Sequence, residues 1–275
     1  MNKTVFLFVI AVFLVTSVPA FAELDLEQDV LIIPATHNEK PYIWKVNRDP
    51  KDYELVLAYA NLVAGTKNTF GLIIRPPSGE SISNMHVFIA DADLNDYGHI
   101  RPEKDATGKY TFIFNPRLTG KYRVETVFES RNGWVSIGKD IRVKGGKAGL
   151  SSDSKPGDED YHVAVKVIPR KIYTKHVFTL LYDIRYKGEP LKGIEKVDGF
   201  DMQVATWDED LKEFIYATPK QNLGGPEVAV SIVFMRAGKH AAFAEFRHKG
   251  ITRRVDMVVE ALEEPVPQGM EPSIP

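Results

Sequence analysis

The 275-residue chain contains no cysteine. That one absence removes disulfides, zinc-thiolate centres, type 1 copper and thiol catalysis together, so stability must come from hydrophobic burial. Neither sign of charge is in excess: 35 Lys and Arg stand against 37 Asp and Glu. This gives no electrostatic basis for binding nucleic acid or for a polybasic grip on lipid. There is no G-x-S-x-G, no phosphate loop, no H-E-x-x-H and no dinucleotide fingerprint, so the expectation is a protein that is not an enzyme. After the first 22 residues no apolar run approaches the ~20 residues of a bilayer span.

What is present begins with that leader. Lys3 precedes an apolar run from Val5 to Val15, and Ala20-Phe21-Ala22 supplies the small residues that a signal peptidase reads. Residues 1–22 are therefore expected to be a signal peptide, with the mature protein periplasmic or extracellular and no membrane span after cleavage. Burial must then rest on 15 Phe, 11 Tyr and 3 Trp among the aromatic residues.

The chain repeats itself. MHVFIADADLNDYGHIRP at Met85–Pro102 returns as MQVATWDEDLKEFIYATP at Met202–Pro219 without a gap, sharing Asp91/Asp208, Asp93/Asp210, Leu94/Leu211 and Pro102/Pro219. Upstream, Tyr53, Thr66, Lys67, Phe70 and Leu72 meet Tyr161, Thr174, Lys175, Phe178 and Leu180 at a constant offset of 108. Downstream, Gly120-Lys121 and Phe128 meet Gly238-Lys239 and Phe246. These are two copies of a module of roughly 100 residues.

Within each copy the hydrophobic period is two. Segments near 53–59, 70–74, 85–89, 110–114, 122–128 and 134–137, and in the second copy near 162–168, 177–184, 201–207, 213–217, 227–234, 240–247 and 251–260, read as short strands. Turn-forming clusters such as Pro76-Pro77-Ser78-Gly79 and Arg131-Asn132-Gly133 separate them. The fold class expected is all-β, two tandem immunoglobulin-like antiparallel β-sandwiches. The organisation reads as a lead-in at 23–48, module 1 at 49–144, a flexible Gly/Ser/Asp linker at 145–160, module 2 at 161–262 and a Pro-rich tail at 263–275.

One constellation invites chemistry. A symmetric hairpin centred on Ala92-Asp93 puts His86 directly opposite His99, and opposed strand residues have Cβ atoms about 4.5–5.5 Å apart. Two imidazoles at that spacing can share a metal ion or clamp an anion, or simply sit side by side. Alternation sends Met85, Val87 and Ile89 to the core and His86 with Phe88 to the other face, where solvent can reach them. The motif M-H-V-F-I-A-D-A-D-L-N-D-Y-G-H-I-R-P, followed by a strand and T-G-K-Y, resembles the exported β-sandwich modules of bacterial envelopes associated with copper and other heavy-metal handling. Those modules carry a histidine at the start of this hairpin and H-x-H-P at its end. His86 and His99 match, Arg101 stands at the last histidine position, and the second copy has Gln203, Tyr216 and Thr218 at the three positions. The resemblance implies copper or zinc as the ions that His86 and His99 would hold, with Met85 a soft donor if it turned outward.

Other side chains are assigned plainer roles. Asp91-x-Asp93-x-Asn95 imitates the opening of a calcium loop, but Asp96 and Pro102 stand where Gly and Glu are required. His162, His176, His240 and His248, on separate strands or a turn, and His37, in the lead-in, read as exposed residues rather than ligands. Trp44, Trp134 and Trp207 read as sandwich packing rather than glycan stacking. Two expectations remain. The first is a non-catalytic adaptor without a cofactor, docking a protein partner in the cell envelope, favoured because the second copy lacks all three histidines. The second is a periplasmic metal-binding protein using the module 1 hairpin.

Overall fold

Residues 52–77, 80–131, 133–145 and 158–263 are described by the computed structural model. Residues 1–22, expected to be a signal peptide, the expected lead-in with His37 and Trp44, most of the expected linker and the tail from residue 264 lie outside the described residues.

The first sandwich contains β1 (Glu54–Tyr59), β2 (Asn68–Arg75), β3 (Ser83–Asp91), β4 (Tyr97–Ile100), β5 (Glu103–Lys104), β6 (Tyr110–Phe114), β7 (Gly120–Ser130) and β8 (Gly133–Val143). Its two sheets run β1-β2-β6-β5 and β4-β3-β7-β8. The second contains β9 (Tyr161–Ile168), β10 (Ile172–Tyr173), β11 (Val177–Tyr186), β12 (Glu189–Pro190), β13 (Met202–Asp208), β14 (Phe214–Ala217), β15 (Glu227–Val233), β16 (Gly238–His248) and β17 (Ile251–Leu262). Here β9, β11, β12 and β15 form one sheet and β10-β17-β16-β13-β14 the other. Apart from the two-residue β10–β17 pair, which is parallel, the strand pairs are antiparallel. This is the expected fold: two tandem immunoglobulin-like antiparallel sandwiches. The sequence pattern had not marked β5, β10 and β12, which are two residues long and too short to show a period, and β4 entered only as the returning arm of the hairpin.

Alternation builds each core. In β2 the residues Phe70, Leu72 and Ile74 are buried while Thr69 and Ile73 point out, and Phe70 stacks on Phe112 of β6 at 4.7 Å. Phe178 and Phe234 meet at 4.9 Å in the second core. Burying each such side chain stabilises its module by about 1.5–3 kcal/mol.

In β3 and β13 the alternation stops. From Met85 to Asp91 and from Met202 to Asp208 every residue is buried. Half of each strand faces its own core. The other half joins a third apolar cluster, in which Phe88, Ala90, Tyr97 and Val127 of the first sandwich pack with Ala205, Trp207, Phe214, Tyr216 and Phe243 of the second. Tyr97 stacks on Phe243 at 4.2 Å, and Phe88 lies 5.3 Å from both Phe214 and Tyr216. The equivalent sheets of the two copies are thus packed against each other, which takes both faces of β3 and β13 out of water. The segment read as a flexible linker is structured at its end, where Asp158–Asp160 form a 3-10 turn and the Lys187 amide donates to the Asp160 carbonyl at 2.7 Å.

Candidate functional site

The repeated acidic turn is built the same way twice. Asp91 Oδ1 accepts the amides of Asn95 at 2.7 Å and Asp96 at 2.6 Å. Asp208 Oδ1 accepts those of Lys212 at 2.6 Å and Glu213 at 2.8 Å. Leu94 and Leu211 take up positive φ, 58° and 57°, to let the chain wrap around each carboxylate. The next acid ties the turn to the neighbouring loop. Asp96 accepts from the Arg117 amide at 2.6 Å, its Nε at 2.8 Å and the Tyr122 hydroxyl at 2.7 Å. Glu213 accepts from the amides of Met235 at 2.7 Å and Arg236 at 3.1 Å. Asp91/Asp208 and Asp96/Glu213 therefore accept donors of the protein itself, which accounts for their repetition without a cation.

This wrapping also sets the hairpin register. Asp91 pairs with Asp96 around a four-residue loop, so the strands align as Val87↔Ile100, Phe88↔His99 and Ala90↔Tyr97. His99 therefore faces Phe88, two positions away from the expected partner, and His86 is its diagonal neighbour. Diagonal neighbours remain within reach of long side chains, and the rings do meet: His86 Nδ1 lies 2.9 Å from His99 Nε2. The expected solvent access is not found. His86 is 1% exposed because the second sandwich covers that face.

Two further elements complete the surroundings. β16 brings Glu245, whose Oε2 accepts from His99 Nδ1 at 2.5 Å. The loop before β13 brings Asp198, which is ion-paired with Arg101, accepts Gln203 Nε2 at 3.0 Å and stands 3.7 Å from His86 Nε2. Phe88 stacks on the His99 ring at 4.3 Å, and Tyr216 and Trp134 close over His86. Burial, then the neighbouring His99 and Arg101, pull the His86 pKa down to about 3, so this imidazole is neutral at physiological pH. Burial likewise pushes the Tyr216 phenol up.

The fit to a metal ion can be tested on these atoms. Two nitrogens bound tetrahedrally to zinc at about 2.0–2.1 Å stand about 3.3 Å apart, wider than the observed 2.9 Å. Glu245 and Asp198 lie beside the outer nitrogens, on opposite sides of the pair, so they cannot converge with the inner nitrogens on one point. Among the described residues no group of three or more His, Asp or Glu side chains is placed to hold an ion. Met85 stays in the first core. The geometry does not fit the ion that the resemblance implies.

Sequence reasoning found His86, His99 and Arg101 but missed Glu245 and Asp198. The signal for Glu245 was a carboxylate set in the apolar run Ala241-Ala242-Phe243-Ala244 to Phe246. Asp198 lies in a loop with no period to mark it. Of the other histidines, His240 and His248 are buried rather than exposed: His240 Nε2 meets Glu213 at 3.1 Å and His248 Nδ1 meets the Tyr161 hydroxyl at 2.7 Å.

Fold and site together describe a tandem immunoglobulin-like protein whose two copies share one buried face. A family model described as a domain of unknown function (DUF8832) matches residues 157–263, the second sandwich. No curated protein matches the chain. Among solved structures it is similar to a Salmonella alpha-2-macroglobulin reacted with methylamine, at 12% identity and TM-score 0.28 over 76% of this chain and 15% of that one. It is also similar to the Escherichia coli adhesin FdeC, at 13% identity and TM-score 0.24 over 77% and 64%. A third is invasin, a bacterial integrin-binding protein, at 12% and 0.29 over 78% and 40%. The chain thus spans between 15% and 64% of these proteins' lengths. Scores and identities of this size carry no argument about function.

Proposed function

We propose that the protein is an exported, non-catalytic adaptor whose paired sandwiches form one rigid body that docks a protein partner in the cell envelope. The observation that supports this reading is how the surfaces are used. The sheet carrying the histidine pair is buried against the equivalent sheet of the second copy, while the outward faces of β1-β2-β6 and β9-β11-β15 stay open. Those faces carry exposed Ile73, Ile113, Ile168 and Val177. On β11 and β15, Val177 and Val233 are direct cross-strand neighbours. Such residues give an outer sheet apolar anchor points within a polar surround.

Photo-crosslinking residues placed at Ile113 and Val177 in the living cell test it. A discrete envelope-protein adduct from either position, absent when the probe sits at Phe88, is the expected result. Cells in which neither outer face yields an adduct would remove the adaptor reading.

A further inference from the structure

We infer that the three positions which resemble a metal-binding pattern, His86, His99 and Arg101, form a directional clasp that fastens the first sandwich to the second. Each reaches an acceptor supplied by the second copy, or relays to one. His99 Nδ1 donates to Glu245 of β16 at 2.5 Å. Arg101 pairs with Asp198. His86 lies behind His99, with its Nδ1 2.9 Å from His99 Nε2.

A neutral imidazole carries one N–H and one acceptor nitrogen, and this restricts the proton arrangement. With the Nδ1–H form on both rings, His86 donates to His99 Nε2 and His99 donates to Glu245. His86 Nε2 is then a lone pair, which accounts for its distance of 3.7 Å from Asp198. Asp198 is satisfied instead by Arg101 and by Gln203 Nε2 at 3.0 Å. This assignment accounts for the His86–His99 and His99–Glu245 approaches without an ion.

The replacement of the third histidine by arginine follows from the same geometry. A cation at position 101 opposes a metal but matches Asp198. Gln203, the second copy's counterpart of His86, also donates to Asp198. Of the residues that depart from the metal pattern, Arg101 and Tyr216 make contacts between the sandwiches, and Gln203 holds the carboxylate that Arg101 meets. Around His86, His99 and Glu245 the aromatic cluster shields the polar groups, and there a hydrogen bond is stronger than in water and a missing partner costs more.

The test is a double-mutant cycle on the full chain, with His99→Ala, Glu245→Ala and both together, read by urea unfolding. The expected result is a coupling of tenfold or more in the unfolding equilibrium between the two positions. A parallel cycle with Arg101→Ala and Asp198→Ala, at the half-exposed end of the cluster, supplies the answer if the histidine variants do not fold. Additive effects in the cycle that can be measured would overturn the clasp. So would submicromolar binding of Zn(II), Cu(II) or Cu(I) by the wild-type chain in calorimetry that is lost in His86→Ala/His99→Ala. Neither result touches the outer sheets, so a failed clasp and a failed adaptor reading are told apart.

Discussion

Truncating Phe88 separates a protein whose sandwiches are packed together from one in which they merely follow each other. On an isolated first sandwich Phe88 points away from the core, and its removal would cost no more than about 0.5 kcal/mol, as for an exposed residue. In the structure it is 1% exposed, stacked on His99 at 4.3 Å and 5.3 Å from Phe214 and Tyr216. Phe→Ala at a site so enclosed costs about 3–5 kcal/mol, most of it from burial that the second copy supplies. With a urea slope of about 2.5 kcal/mol/M, the midpoint should fall by about 1.5 M. Tryptophan fluorescence reads it directly, because Trp134 and Trp207 both border the cluster. Phe70→Ala is the comparison: it stacks on Phe112 inside the first core and is costly whether or not the copies associate. A Phe88→Ala shift below about 0.2 M beside a large Phe70→Ala shift would refute the packing of the two sheets.

Three other outcomes follow from local geometry. A Cβ at Gly138 would run into the Glu125 carboxylate and the Arg123 guanidinium; Gly138→Ala should therefore cost about 3 kcal/mol, as for disrupting a buried ion pair, and less than about 1 kcal/mol in a Glu125→Ala background, measured by urea unfolding. Burial raises the Glu125 carboxyl above its ordinary range despite the opposing pull of Arg123, so the folded chain binds more protons than the unfolded one across that window. Stability should fall as pH rises through it, and thermal unfolding of Glu125→Gln against wild type from about pH 4 to pH 7 should show a flatter profile for the variant. Asp208→Ala removes the acceptor of two turn amides and of Arg236 Nε at 2.6 Å and should cost about 2–4 kcal/mol, while Asp208→Asn, which keeps the Oδ1 acceptor, should cost about 1; equal melting temperatures for the two variants would count against the turn network.

The fold was legible because its signals are local. Phe70-x-Leu72-x-Ile74 and Phe178-x-Leu180 report strands by their period, and the offsets between copies report the duplication. The hairpin register was not legible, because it depends on Asp91 drawing in two amides beyond the expected turn and on Leu94 adopting a left-handed conformation, which side-chain type alone does not announce. The contact between copies was half visible. Val204-Ala205-Thr206-Trp207 and Ala241-Ala242-Phe243-Ala244 are apolar on both faces, as strands covered from both sides must be. What covers them cannot be read from a period. Asp198 and Glu245 became partners of Arg101 and His99 only through that contact.

The differences between the copies are arranged so that the shared face prefers one partner. Module 1 carries His86, His99, Arg101 and Val127 where module 2 carries Gln203, Tyr216, Thr218 and Glu245. If two first modules met in the geometry seen here, Val127 would take the place of Glu245, and His99 would lose the acceptor of its Nδ1 proton. A buried donor left unpaired costs about 1–3 kcal/mol. Two second modules meeting would instead set Glu245 beside Tyr216, whose phenol would stand in for the imidazole, and would leave Asp198 without Arg101. The mixed pair gives His99 Nδ1 its carboxylate acceptor and Arg101 its counter-ion. Since the aromatic contacts are apolar and tolerate many partners, it is these polar differences that supply discrimination, and they favour a first sandwich meeting a second over a first meeting another first.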